Sequence, residues 1–152
     1  MLSVQHTSLH LQVLKEADVI LFAGGISPKL EGEEMPVKLP GFKGGDRETI
    51  ELPEIQTQMI SVLKKTGKPV VLVNFSGSAI ALEQEAKLCD AILQAWYPGQ
   101  AGGTAIASVL FGDYNPAGRL PLTFYRNTAQ LPDFEEYSMK GRTYRYMTEA
   151  PL

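Results

Sequence analysis

Residues 91–124, AILQAWYPGQAGGTAIASVLFGDYNPAGRLPLTF, place a strand, a turn, a helix and a second strand in close succession. Ala91 to Ala95 is a short apolar run stopped by Pro98 and Gly99, the pattern of a strand buried on both faces that ends in a tight turn. Ala101, Ala105, Ile106, Val109 and Leu110 then recur at helical spacing, which predicts a helix from about Gln100 to Phe111. Gly112, Asn115, Pro116 and Gly118 break the chain again. Leu120 to Phe124 resumes as β-prone, and Pro121, which has no N–H to give to a ladder, predicts an edge strand there.

The same alternation extends upstream. Val19 to Phe22 is a continuous β-prone run closed by Gly24 and Gly25, and reads as a buried strand. Pro53 suits the start of a helix whose apolar side comprises Ile55, Met59, Ile60, Val62 and Leu63 and which Gly67 stops. Val70 to Val73 is a third β-branched run, and a short helix around Ala81 to Leu88 leads back to Ala91. Strand, long loop, helix, strand, short helix, strand, helix and edge strand in that order predict an α/β fold with a mostly parallel sheet sandwiched by helices. The three apolar runs should be neighbouring parallel strands, with Trp96 packed at the domain face. Residues 1–124 read as the α/β domain and 125–152 as an extended tail or linker. Met1 to Lys15 is weakly patterned, a helix or an extended lead-in.

Composition narrows the partners. The chain has 152 residues, 44% of them hydrophobic, enough for one domain with its own core. A net charge of −3 with no basic cluster argues against nucleic acid. No apolar run is long enough to cross a bilayer as a helix, and the first twenty residues lack a signal-peptide pattern, so the sequence sets no compartment. Cys89 is the lone cysteine, and His6 and His10 sit together near the start, away from it; neither fact points to a metal or cofactor.

In parallel α/β sheets ligands gather where loops leave the carboxyl ends of the strands. Three loops qualify: residues 26–50, the NFSGSA turn, and the YPGQAGG turn. The last lacks the GxGxxG and GxxxxGK[ST] orders of phosphate cradles. Ser76 and Ser78 lie in no GxSxG elbow and have no histidine downstream, so they read as turn serines. The long loop concentrates Glu31, Glu33 and Glu34, followed by Asp46 and Arg47. Crowded carboxylates favour a retained proton on one of them, as a general acid requires, and a solvated charge run is the alternative.

The segments AGGISPKLEGEE, KGGDR, ELPEIQ, VVLVNFSGSA, LQAWYPGQAGG and LFGDYNPAGRLPLTF together resemble the C-terminal α/β sandwich domain of glycoside hydrolase family 3, over about residues 17–147. The resemblance implies a retaining exo-acting β-glycosidase of the β-glucosidase or β-xylosidase kind, acting on a β-linked glucoside or xyloside without a cofactor. It implies that a (β/α)8 barrel domain of the same enzyme supplies the nucleophilic aspartate and that this domain supplies the acid/base glutamate. Glu31 matches the family position best, with Glu34 the runner-up and Glu33 third. Asp46 and Arg47 match the family's DR pair and are expected to hold the far end of the loop through an ion pair or interdomain contact. No barrel is present, so the sequence reads as a truncated enzyme with half an active site. The family is compatible with a periplasmic or secreted setting, and a non-catalytic sugar-binding or scaffolding module is the alternative.

Overall fold

The computed structural model describes residues 13, 14, 16–32 and 34–152. Glu33, both histidines and all of the Met1–Lys15 lead-in except Val13 and Leu14 lie outside that set. The chain forms β1 (Ile20–Gly25), a small hairpin of β2 (Phe42–Lys43) and β3 (Asp46–Arg47), α1 (Glu54–Lys64), β4 (Val70–Phe75), α2 (Glu83–Leu88), β5 (Ala91–Gln94) and α3 (Gly102–Leu110). A single 3₁₀ turn follows at Thr128–Gln130.

The fold is α/β, as the alternation predicts. β4 is the central strand of a three-stranded sheet ordered β1-β4-β5, and both pairings are parallel. Its sequence, VVLVNF, suits that place, because β-branched residues pack well on a pleated surface enclosed from both sides. The core lies between the sheet and the two helices beside it. Ile20, Val70 and Leu72 come from the strands, Ile60 and Leu63 from α1, and Leu82 from the residue before α2. Fully burying one such side chain stabilises the fold by roughly 1.5–3 kcal/mol.

α1 begins after Pro53, as its missing N–H allows, and ends before Gly67, whose φ of 78° turns the chain out of the helix. Lys64 in its last turn donates to Asp90 Oδ2 at 2.6 Å, and the same oxygen accepts from the Val70 amide at 2.8 Å. One carboxylate thus ties the end of α1 to the starts of β4 and β5.

Three expectations are corrected. Leu120–Phe124 is not a strand: Pro121 withholds a donor, no strand edge among the described residues runs alongside it, and the segment is fixed instead by Phe124, buried edge-on against Trp96 at 5.9 Å. β5 is not enclosed on both sides. Among the described residues it pairs with β4 alone, and Ile92 and Leu93 stay half-buried. Among the described residues β1 also pairs only with β4, and Leu21 is 48% exposed. Trp96 is packed at the domain face, as anticipated.

On α1 the apolar side divides. Ile60 and Leu63 are buried, whereas Ile55, Met59 and Val62 form an exposed stripe. Leu72→Ala should therefore lower stability by about 2–5 kcal/mol, and Ile55→Ala should change it by no more than about 0.5 kcal/mol. Urea unfolding midpoints of the two variants against the parent check the contrast.

Candidate active site

Parallel pairing sends the three strands out of the sheet at one edge, and all three loops singled out in the sequence meet there. The chain leaves β1 at Gly25, whose amide and carbonyl are both bonded by the Gln56 side chain of α1 at 2.8 and 2.7 Å. Ile26 then drops into the core, its amide donating to the Phe75 carbonyl at 2.9 Å. From Ser27 the chain makes one tight turn, in which the Leu30 and Glu31 amides both donate to the Ser27 carbonyl. Glu31 is thereby presented over the end of β4.

Opposite it stands the hairpin. Gly44 and Gly45, with φ of 63° and 93°, form the two-residue connection that a tight hairpin favours, and Phe42 anchors the first strand in the core. A side chain at Gly45 would overlap the Gly32 carbonyl, so glycine here lets the hairpin come up against the residue after Glu31. Met35 donates its amide to the Gly44 carbonyl at 2.7 Å and closes the intervening loop. The hairpin delivers Arg47 to the sheet edge.

Arg47 reaches across to the turn after β4. Its Nη1 donates to Ser78 Oγ and to the Ala79 carbonyl, both at 2.9 Å, and its Nε donates to the Thr49 carbonyl at 3.2 Å. Ser78 Oγ in turn donates to Glu31 Oε1 at 2.6 Å. Arg47 Nη1 stands 3.6 Å from the same oxygen, and the side chains are 10% exposed for Arg47 and 23% for Glu31. Burial pulls the Arg47 guanidinium below its ordinary value and the Glu31 charge opposes that pull; the group remains a cation at any ordinary pH. Glu31 Oε2 accepts no hydrogen bond among the described residues.

The third wall is aromatic. Trp96 adopts a left-handed backbone, φ 58°, which a bulky residue takes up only where the surroundings enforce it. The turn sends Trp96 against Phe124 and Tyr97 the other way, over Gly77, where an added Cβ would lie 2.7 Å from the Tyr97 ring. Tyr97 Oη donates to the Ile26 carbonyl at 3.2 Å. Desolvation raises the Tyr97 phenol above its ordinary value and the nearby Glu31 charge adds to the rise.

Of the sequence candidates, the structure places Glu31 in this cluster and Glu34 outside it, exposed and in a left-handed conformation with φ 51°. Asp46 is exposed on the hairpin, and Arg47 pairs with Glu31 rather than with its neighbour. Ser78, which its turn context marks only as a turn serine, is the direct partner of the carboxylate, and nothing local in the sequence marks Tyr97, whose hydroxyl bonds the Ile26 carbonyl. The Gly-Gly step in FKGGDR was the available signal for a hairpin that would project Arg47. A carboxyl group with one oxygen held and the other open can deliver and recover a proton without losing its position. No cluster of metal-ligating side chains occurs among the described residues.

Residues 4–151 match the glycosyl hydrolase family 3 C-terminal domain. The chain is 64% identical over 137 residues to a xylan 1,4-beta-xylosidase of Xylanibacter ruminicola, covering 90% of this chain and 16% of that enzyme. It is 41% identical over 134 residues to a periplasmic beta-glucosidase of Salmonella typhimurium, covering 88% of this chain and again 16% of the relative. The structure of a β-glucosidase from Erythrobacter marinus superposes with a TM-score of 0.76 at 34% identity, over 97% of this chain and 19% of that one.

Arg47→Ala removes the donors that join the hairpin to the β4 turn. Amide exchange at Leu30 and Glu31 should accelerate about ten- to a hundredfold, while Ile26, bonded to β4, keeps its protection. Hydrogen exchange read residue by residue checks this, and equal protection at Glu31 in both proteins would show that Arg47 does not hold the loop.

Proposed function

The chain belongs to the glycosyl hydrolase family 3 C-terminal domain family, and from that premise we propose that it supplies the general acid/base, Glu31, to a retaining exo-acting β-glycosidase whose substrate is a β-linked xyloside or glucoside. The observation that carries the reading is the Glu31 carboxyl group itself, fixed at the carboxyl edge of the sheet through Oε1 and open at Oε2. The relatives' names, xylosidase and glucosidase, support the substrate class.

In the first step protonated Glu31 gives its proton to the glycosidic oxygen as the bond from that oxygen to the anomeric carbon breaks. A carboxylate nucleophile on the opposite face of the sugar forms the new bond to carbon. Water then attacks the same carbon, Glu31 takes its proton, and the nucleophile leaves. Such a mechanism needs the two carboxyl groups about 5–5.5 Å apart. The nucleophile is assigned to a barrel domain of the same enzyme, and residues 125–152 to a lead toward a further domain. The exposed stripe of Ile55, Met59 and Val62 and the exposed Leu21 are apolar surface of the kind that another domain covers.

The test exchanges this chain for the matching segment of the Xylanibacter ruminicola enzyme. Glu31→Ala in that hybrid should slow hydrolysis of poor leaving groups about 10²–10⁴-fold, slow activated aryl glycosides far less, and recover with azide, which attacks the glycosyl intermediate without a general base. If Glu34→Ala gave that pattern and Glu31→Ala did not, the acid/base would be Glu34. The chain by itself should show no turnover of aryl β-xylosides or β-glucosides, and burst kinetics from it alone would refute the half-site assignment.

A further inference from the structure

Both hydrogens of Arg47 Nη1 are already committed, one to Ser78 Oγ and one to the Ala79 carbonyl. Through its hydrogen bonds Nη1 therefore reaches Glu31 by way of the serine, whose own hydrogen goes on to Oε1; Nη1 itself stands 3.6 Å from that oxygen as an ion pair, and Nη2 is buried with no hydrogen-bond partner among the described residues. Without Ser78 the released hydrogen has Glu31 Oε1, 3.6 Å from Nη1, as an oppositely charged acceptor within reach. A direct guanidinium–carboxylate bond is far stronger than one from a neutral hydroxyl, and it favours the ionised carboxyl. A general acid held in that way would give up its proton too early.

Resting on the assignment of Glu31 as acid/base, we propose that Ser78 is a positioning residue that stands between Arg47 and Glu31, fixing Oε1 as an acceptor and leaving Oε2 as the oxygen that carries and delivers the proton. A hydroxyl suits this place in both halves of the cycle. It donates to Oε1 whether Oε2 bears the proton or not, so the carboxyl group keeps one orientation while it loses and regains a hydrogen. Arg47 contributes its charge at a distance and its geometry through the serine, the Ala79 carbonyl and the Thr49 carbonyl. Among the described residues the charged and titratable groups facing Glu31 from the elements around it are Arg47 from β3 and the Tyr97 phenol from the loop after β5. Neither replaces the serine. Tyr97 Oη is spent on the Ile26 carbonyl and Arg47 Nη1 on Ala79 and Ser78.

The experiment measures kcat/KM against pH in the same hybrid enzyme, with a poor and an activated leaving group, for the parent, Ser78→Ala, Ser78→Thr and Glu31→Ala. Ser78→Ala should move the basic limb to lower pH by roughly half to one unit and lower the rate at neutral pH with the poor leaving group about three- to tenfold. The activated substrate should be little affected. Ser78→Thr, which keeps the hydroxyl, should keep the limb in place, and this rescue separates positioning from a loss of folding. A basic limb that stays put or moves upward in Ser78→Ala overturns the proposal while leaving Glu31 in its role. Loss of the leaving-group dependence and azide recovery in Glu31→Ala removes the acid/base assignment itself, and this inference falls with it.

Discussion

The parallel register of β1 on β4 is the constraint from which the site follows. Ile20 lies opposite Val70 and Gly25 opposite Phe75, so both strands run out of residues at the same edge. β5 joins in the same direction, with Asn74 opposite Gln94. Three loops separated by tens of residues in sequence are forced to begin on neighbouring strands of one edge, each one strand spacing from the β4 loop. Antiparallel pairing of any one of them would have sent its loop to the other end of the sheet and left Glu31 without Ser78 or Tyr97.

Polar side chains secure the edge where the ladder ends. The Gln56 amide takes both the donor and the acceptor of Gly25, and Gln94 accepts from Asn74 and donates to Ser76 within a buried row. Burying such groups is tolerated where each bond replaces one lost to water; in this row Asn74 Oδ1 finds no partner among the described residues. The arrangement gives a stiff base beneath the Glu31 carboxyl group. A glutamate on an untethered loop would lose orientation, and with it much of the advantage of a positioned proton donor.

Much of the apolar surface has no cover among the described residues. α1 buries one stripe and leaves another in solvent, the sheet exposes Leu21, and α3 keeps Ile106, Val109 and Leu110 only half-buried. The chain spans 16% of the xylosidase and glucosidase relatives named above, and unpaired sheet edges and half-covered helices are surfaces of the kind that further chain covers.

By itself the sequence determined the elements and their kind. Runs such as VVLVNF and the punctuation by Pro53, Gly67 and Pro98 are local signals, because backbone preference and side-chain periodicity act over a few residues. It also marked the loop that carries Glu31, since motif order is a property of the chain. What it did not determine was which residues meet. Ser78 and Arg47 are 47 and 16 positions beyond Glu31, and nothing local to either marks it as a partner. The failed strand at Leu120–Phe124 has the same cause, because β-prone residues form a strand only where another edge is in reach. Contact across the sheet edge, the burial that makes an arginine hold three acceptors at once, and the choice of which glutamate oxygen stays open are decided by tertiary packing, which sets distances that sequence spacing leaves free.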